Sequence, residues 1–250
     1  RGVATAKVGL ALNTNQEVVT IGKVVFKVGA ADVCPITADA KTNIAVGAFY
    51  VDGNPAIGNS SGLHFGAYFL NCTDVRCGYT NIQNTYSNTF EVIGCTRFEY
   101  AGGYHFTETA TSIGGGPQFE DCDDLNVFGA IYGITHDDLV SNIAHGANVS
   151  DCNFAAVIGR SRQARTFYIG QSNSAPAQRT MSNIVANVLS RSSGLDLTSP
   201  AFSIFRDGIY RNIHVTQVDN GSYLAARINP FNGAANGELY NCTFDITSFN

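Results

Sequence analysis

LNCTDV at 70–75, IGCTRF at 93–98, EDCDDL at 120–125, SDCNF at 150–154 and YNCTFDI at 240–246 share one frame. In each, a Cys follows Asn, Asp or Gly, and an apolar residue stands two or three positions on. TNIAV at 42–46, SNIVANV at 182–188 and RNIHVTQV at 211–218 continue the frame with Ile44, Ile184 and Ile213 in the cysteine slot. The slots then fall at 44, 72, 95, 122, 152, 184, 213 and 242, in steps of 23 to 32 residues. An imperfect repeat of this period denotes one supersecondary unit stacked along an axis.

Composition ranks the candidate units. Leucine-rich repeats need several leucines per unit, and the chain has eleven in all; WD40 blades need Trp, and there is none. What survives is an all-β parallel β-helix of about eight coils, each coil three short strands joined by turns that lengthen without disturbing the stack. Asn or Asp before the slot suits a sharp bend, because its short side chain tolerates the left-handed conformation. The slot residue then points inward, a small or medium apolar filler, and the eight slots are expected in a single interior file. The NCT sequons at 71–73 and 241–243 fall in this turn ladder, where a buried Asn carries no glycan. Residues 1–41 read as lead-in strands and 42–250 as the β-helix, a single domain and a fragment of a longer protein.

The chain has 250 residues, 44% hydrophobic and 14% charged, with a net charge of −5. So few charges argue against disorder and a coiled coil, and the negative balance gives no attraction to nucleic acid or to an anionic membrane surface. No apolar run approaches the roughly 20 residues of a membrane span. The seven cysteines lack CxxC or Cys/His spacing, so no metal site and no cofactor is expected, and all seven are expected to be reduced.

A second strand aligns across coils as YTNI at 79–82, YHFT at 104–107, YGIT at 132–135, TFYIG at 166–170, AFSIF at 201–205 and YLAARI at 223–228. Alternation places Thr80, Ile82, Tyr104, Phe106, Tyr132, Ile134, Phe167, Ile169, Phe202, Ile204, Ala226 and Ile228 inside. It places Tyr79, His105, Tyr168 and Arg227 outside, an aromatic and polar ladder suited to stacking on pyranose rings and bonding their hydroxyls or carboxylates. Glu108 and the triplet His136-Asp137-Asp138 open turns just beyond this strand. If the protein is a hydrolase, Glu108 with Asp137 or Asp138 supplies the acid and the nucleophile or base, while His136 orients a carboxylate. Arg160, Arg162 and Arg165 form the one arginine cluster, available to an anionic sugar or phosphate.

Stacked coils with a turn Asn, inward Cys or Ile, abundant Gly and Asn, and segments such as FYVDGN at 49–54 resemble the right-handed parallel β-helix of pectin-lyase-like proteins, bacteriophage tailspikes above all. The resemblance covers about 44–246 and is architectural. HDD at 136–138 and AHG at 144–146 are too close to lie on successive coils, unlike the polygalacturonase motifs, so no catalytic residue is carried over from those enzymes. What the resemblance implies is a homotrimeric tailspike, in a virion tail or otherwise extracellular, that binds and depolymerises a bacterial surface polysaccharide (capsule or O-antigen). Two alternatives stay open: a non-catalytic glycan-binding protein or adhesin, and a free secreted polysaccharide lyase or hydrolase. The absence of Lys after Lys41 weighs against a lyase with a lysine base.

Overall fold

The computed structural model describes the chain apart from residues 1, 7–8, 20–23, 30–32, 55–64, 108–113, 173–176, 192–199, 223, 230–236 and 250. Among the described residues there is no α-helix, and parallel strands stack into a β-solenoid of about seven turns. Eight coils were expected from eight slots; eight corner positions bound seven steps, which span about 34 Å at the ~4.8 Å strand spacing.

Each coil has three faces. The first is a nine-stranded sheet that includes Ala67–Leu70, Phe90–Ile93, Pro117–Glu120, Val140–Ala144, Phe167–Gln171, Phe202–Phe205 and Ala226–Asn229. The second face carries Thr42–Val46, Thr73–Cys77 and Thr96–Tyr100; the third carries Phe49–Asp52, Thr80–Gln83 and Gly103–Phe106. Asp123–Thr135 merges these last two into one sheet, because its first half pairs with Thr96–Tyr100 and its second with Gly103–Phe106. In the coil before, the bend between the two faces is made by Gly102 at φ +79°, where a Cβ would approach the Ala130 carbonyl oxygen to 2.3 Å.

From Ala40 to Asp124 the corner between the first and second faces holds two left-handed residues, not one, whereas later coils keep the second alone, at Asp151, Asn183, Asn212 and Asn241. Asn71, Gly94 and Asp121 have φ of 51°, 62° and 54°, and three positions on Asp74, Arg97 and Asp124 repeat it at 57°, 54° and 53°. The expected single file of slots is therefore two. Ile44, Val75, Phe98, Leu125, Cys152, Ile184 and Ile213 are register partners in sequence, and Cys242 follows opposite Ile213. Cys72, Cys95 and Cys122 lie three residues upstream, at the first left-handed site. Apart from Phe98, which follows Arg97, both positions follow an Asn, Asp or Gly, and both bury an apolar group, so the sequence does not distinguish them.

Inward side chains fill the core with an aromatic chain. Phe69, Phe90, Phe119, Phe154, Phe167 and Phe202 touch in turn, with centroids 5.0–6.4 Å apart. All seven cysteines are free; six are buried and Cys242 is half-buried. Outside the corner, Asn183 donates to Asp151 at 2.9 Å, Asn212 to Asn183 at 2.9 Å and Asn241 to Asn212 at 2.8 Å, an amide ladder along the axis. Asn71 and Asn241 are exposed, contrary to the buried sequons expected, because the left-handed turn directs these side chains outward.

The third face departs from the expected alternation. Thr80 and Ile82 point inward, but their partners on the next strand are Gly103 and His105, while Tyr104 and Phe106 are half-buried. Tyr132 is likewise exposed, with Gly133 and Thr135 inside. The segments at 166–170, 201–205 and 223–228 belong to the first face, not the third. Ile228, expected inside, is exposed on the last strand of that face.

His105 is fully buried because its polar atoms find partners. Its Nδ1 lies 2.7 Å from the Thr89 hydroxyl and its Nε2 2.9 Å from the Tyr100 hydroxyl, which also bonds Thr80. Burial pushes the imidazole down to about 3, so it is neutral.

Candidate functional site

The outer side of the first face carries one lateral file, Tyr68, Glu91, Gln118, Ser141, Tyr168, Ser203 and Arg227, each the register partner of the next. Alternation along FEVI at 90–93 and PQFE at 117–120 turns their polar residues outward while the Phe and Val fill the core. Yet this outer side is not a wet surface: Glu91 is 7% exposed, Tyr168 4% and Ser203 1%.

Glu91 is the most perturbed acid on the face. Gln118 Nε2 donates to Glu91 Oε1 at 3.4 Å and to Glu120 Oε2 at 3.3 Å, so the two carboxyl oxygens stand within about 7 Å of each other. Glu91 Oε2 is buried and has no hydrogen-bond partner. Burial, then the charge of Glu120, push the Glu91 carboxyl up to about 8, so it holds its proton at neutral pH. Glu120 is supported differently, with His145 Nδ1 3.1 Å from its Oε1. Two nearby carboxyls in unlike environments are the arrangement that separates an acid from a base.

Further along the face is a depression of about 210 Å³, lined by Gln118, Asp137, Asp138, Ser141, Arg165, Tyr168, Ser172 and Arg206, with Asn88 and Ile143 at its side. Arg165 grips Asp138 through Nε at 2.7 Å and Nη2 at 2.6 Å, while its backbone N–H donates to the same carboxylate at 2.9 Å. The Arg165 guanidinium lies 4.0 Å from the centre of the Tyr168 ring. Asp137 is exposed at the turn, its main-chain carbonyl held by the hydroxyls of Thr135 and Ser161 at 2.6 and 2.7 Å. Desolvation, then the neighbouring Asp138, raise its carboxyl above the usual range.

The structure thus gathers Asp137, Asp138 and Tyr168 at one depression, with Arg227 on the same outward file as Tyr168, two coils on and 4.7 Å over the Phe205 ring. His136 is half-buried in the same turn. Tyr79 is exposed on the third face, and His105, expected outside, is inside the core and is not presented to a ligand. Glu108 lies outside the described residues. Of the arginine cluster only Arg165 reaches the depression. Sequence reading missed Glu91, Gln118, Glu120 and His145. The signal available was a glutamate at the outward position of an otherwise apolar strand, FEVI, followed one coil later by QFE.

A larger depression of about 460 Å³ on the second face is lined by Asp74, Arg76, Arg97, Glu99 and their neighbours. Its two arginines are already paired, Arg97 to Asp74 at 2.5 and 2.9 Å and Arg76 to Glu99 at 3.2 Å, and these side chains are half or more exposed. It reads as a solvated corner. Among the described residues no group of three or more His, Cys, Asp or Glu is placed to hold a metal ion. No family model, no curated protein and no solved structure matches this chain.

Proposed function

We propose that the protein binds and hydrolyses a bacterial surface polysaccharide, as the homotrimeric depolymerase of a phage tailspike. The observation that supports this best is the Glu91–Gln118–Glu120–His145 chain. Glu91 keeps a proton to give to a leaving glycosidic oxygen, and Glu120, beside His145, is the second carboxyl of the pair. A separation within about 7 Å spans the retaining geometry of about 5–5.5 Å and reaches the short end of the inverting range. Tyr168 and the depression beside it hold a neighbouring sugar. Glu91 is 7% exposed, so cleavage here requires the groups packed over it to move aside for substrate. Asp138 orders the Asp137 turn, because Arg165 occupies both of its oxygens.

The test is to incubate the protein with a panel of capsule and O-antigen polysaccharides and size the products. Glu91→Gln and Glu120→Gln should each lower cleavage 10²-fold or more with binding retained. Cleavage unchanged in both variants removes the dyad, and a product absorbing in the ultraviolet indicates a lyase. Binding without any cleavage by the wild type favours the glycan-binding adhesin, and light scattering that reports a stable monomer rules out the trimer.

A further inference from the structure

The depression contains two arginines in opposite states. Arg165 has its charge neutralised by the bidentate contact with Asp138. Arg206 has no ion pair among the described residues, and its Nε is buried without a hydrogen-bond partner. Its backbone sits at φ +88°, a conformation that costs a non-glycine residue and turns the side chain beside Phe205, 5.7 Å from the ring centre. Ser203, three residues before it and the register partner of Tyr168, buries a hydroxyl that is also unpartnered. Native proteins rarely leave buried donors unused, and an unpartnered buried Nε on a guanidinium without an ion pair, at the wall of the depression, calls for an external acceptor carrying negative charge.

The volume narrows the ligand. About 210 Å³ is below the 300–1,000 Å³ of pockets for drug-sized molecules, so the depression takes one ring or its substituent. Tyr168 and Ser141 line it beside Arg206, while the Gln118 amide is already engaged by Glu91, Glu120 and Asn88. From these groups we infer that the depression is a subsite for a sugar unit bearing a carboxylate, with Arg206 the residue that selects the acid. The inference rests on the polysaccharide reading above and adds that the polymer is anionic at this subsite.

The experiment is ligand-observed NMR titration of the whole protein with galacturonate, glucuronate and N-acetylneuraminate, each against its methyl ester. At least one acid should bind tenfold or more tightly than its ester. Arg206→Gln should abolish that preference, whereas Arg211→Gln, at an exposed arginine on another face, should keep it. Equal binding of all three acids and their esters, or no binding of any acid, overturns the inference, as does a preference unchanged in Arg206→Gln. Because the acid-against-ester comparison is made on the wild type, a variant that fails to fold does not decide the result. The two readings fail separately. Acid preference without cleavage of any polysaccharide sinks hydrolysis and leaves this subsite standing. Cleavage of a neutral polysaccharide with no acid preference does the reverse.

Discussion

Arg165 and Asp138, 27 residues apart in sequence, are joined by two side-chain hydrogen bonds of 2.7 and 2.6 Å that tie successive coils together at the edge of the candidate site. Asp138 is nearly buried and Arg165 only partly so. Removing one partner leaves the other charge poorly solvated. Arg165→Met and Asp138→Asn should each cost about 1–3 kcal/mol, less than the ~3–5 kcal/mol of a fully buried pair. The double variant should lose less than the two single losses combined. Urea denaturation of the four proteins measures this.

Two buried titrating groups oppose each other in acid stability. His105, at about 3 against an ordinary 6.5, binds fewer protons folded than unfolded, so its contribution is lost as pH falls below about 6.5. Glu91, at about 8 against 4.5, binds more protons folded, so its contribution is lost as pH rises from about 4.5 to 8. Their slopes, each up to about 1.4 kcal/mol per pH unit, cancel between about 4.5 and 6.5. Stability should therefore show a plateau there, with an acid limb from His105 and an alkaline limb from Glu91. In Glu91→Gln, urea midpoints measured across pH should lose the fall above 6.5 and keep the acid limb.

The cysteines should titrate in two classes. Cys242, half-buried, should react with an aromatic disulfide reagent in the native protein, and the six buried thiols only after denaturation. Burial pushes the Cys122 thiol up to about 12, so almost no thiolate is present at neutral pH. Cys122→Asp should cost several kcal/mol by burying an unpaired charge, seen as loss of the cooperative thermal transition.

Asn212 serves as both donor and acceptor in the amide ladder and sits at φ 52°. Asn212→Ala loses both hydrogen bonds and strains the turn, and should cost about 2–3 kcal/mol. Asn212→Gly loses the hydrogen bonds alone and should cost about 1 kcal/mol less, as read from the two denaturation midpoints.

The repeat of turn residue, small apolar filler and short strand was legible because every coil must solve the same local problem. Its corner has to turn the backbone left-handed and bury one side chain at once. Those are demands on single residues, and Asn, Asp, Gly, Cys and Ile state them openly.

The tripeptide Asn-Cys-Thr shows where that legibility ends. At 71–73 its Asn occupies the first left-handed site of a corner, in line with Gly94 and Asp121; at 241–243 it occupies the second, in line with Asn212. Identical letters take different places because register is decided by which strand lies alongside, and a neighbour 23 to 32 residues away leaves no mark on the tripeptide itself. His105 is buried for the same kind of reason. Its polarity argued for the surface, and only the fold brings the hydroxyls of Thr89 and Tyr100 to its two nitrogens. Asp137 and Asp138 were readable as a pair of acids in a turn, whereas Glu91 and Glu120 become a dyad only when stacking sets Gln118 between them. The coil, its corners and its apolar filling follow from demands on single residues; the register, the interior polar network and the meeting of acids follow from lateral stacking, which brings together residues far apart in the chain.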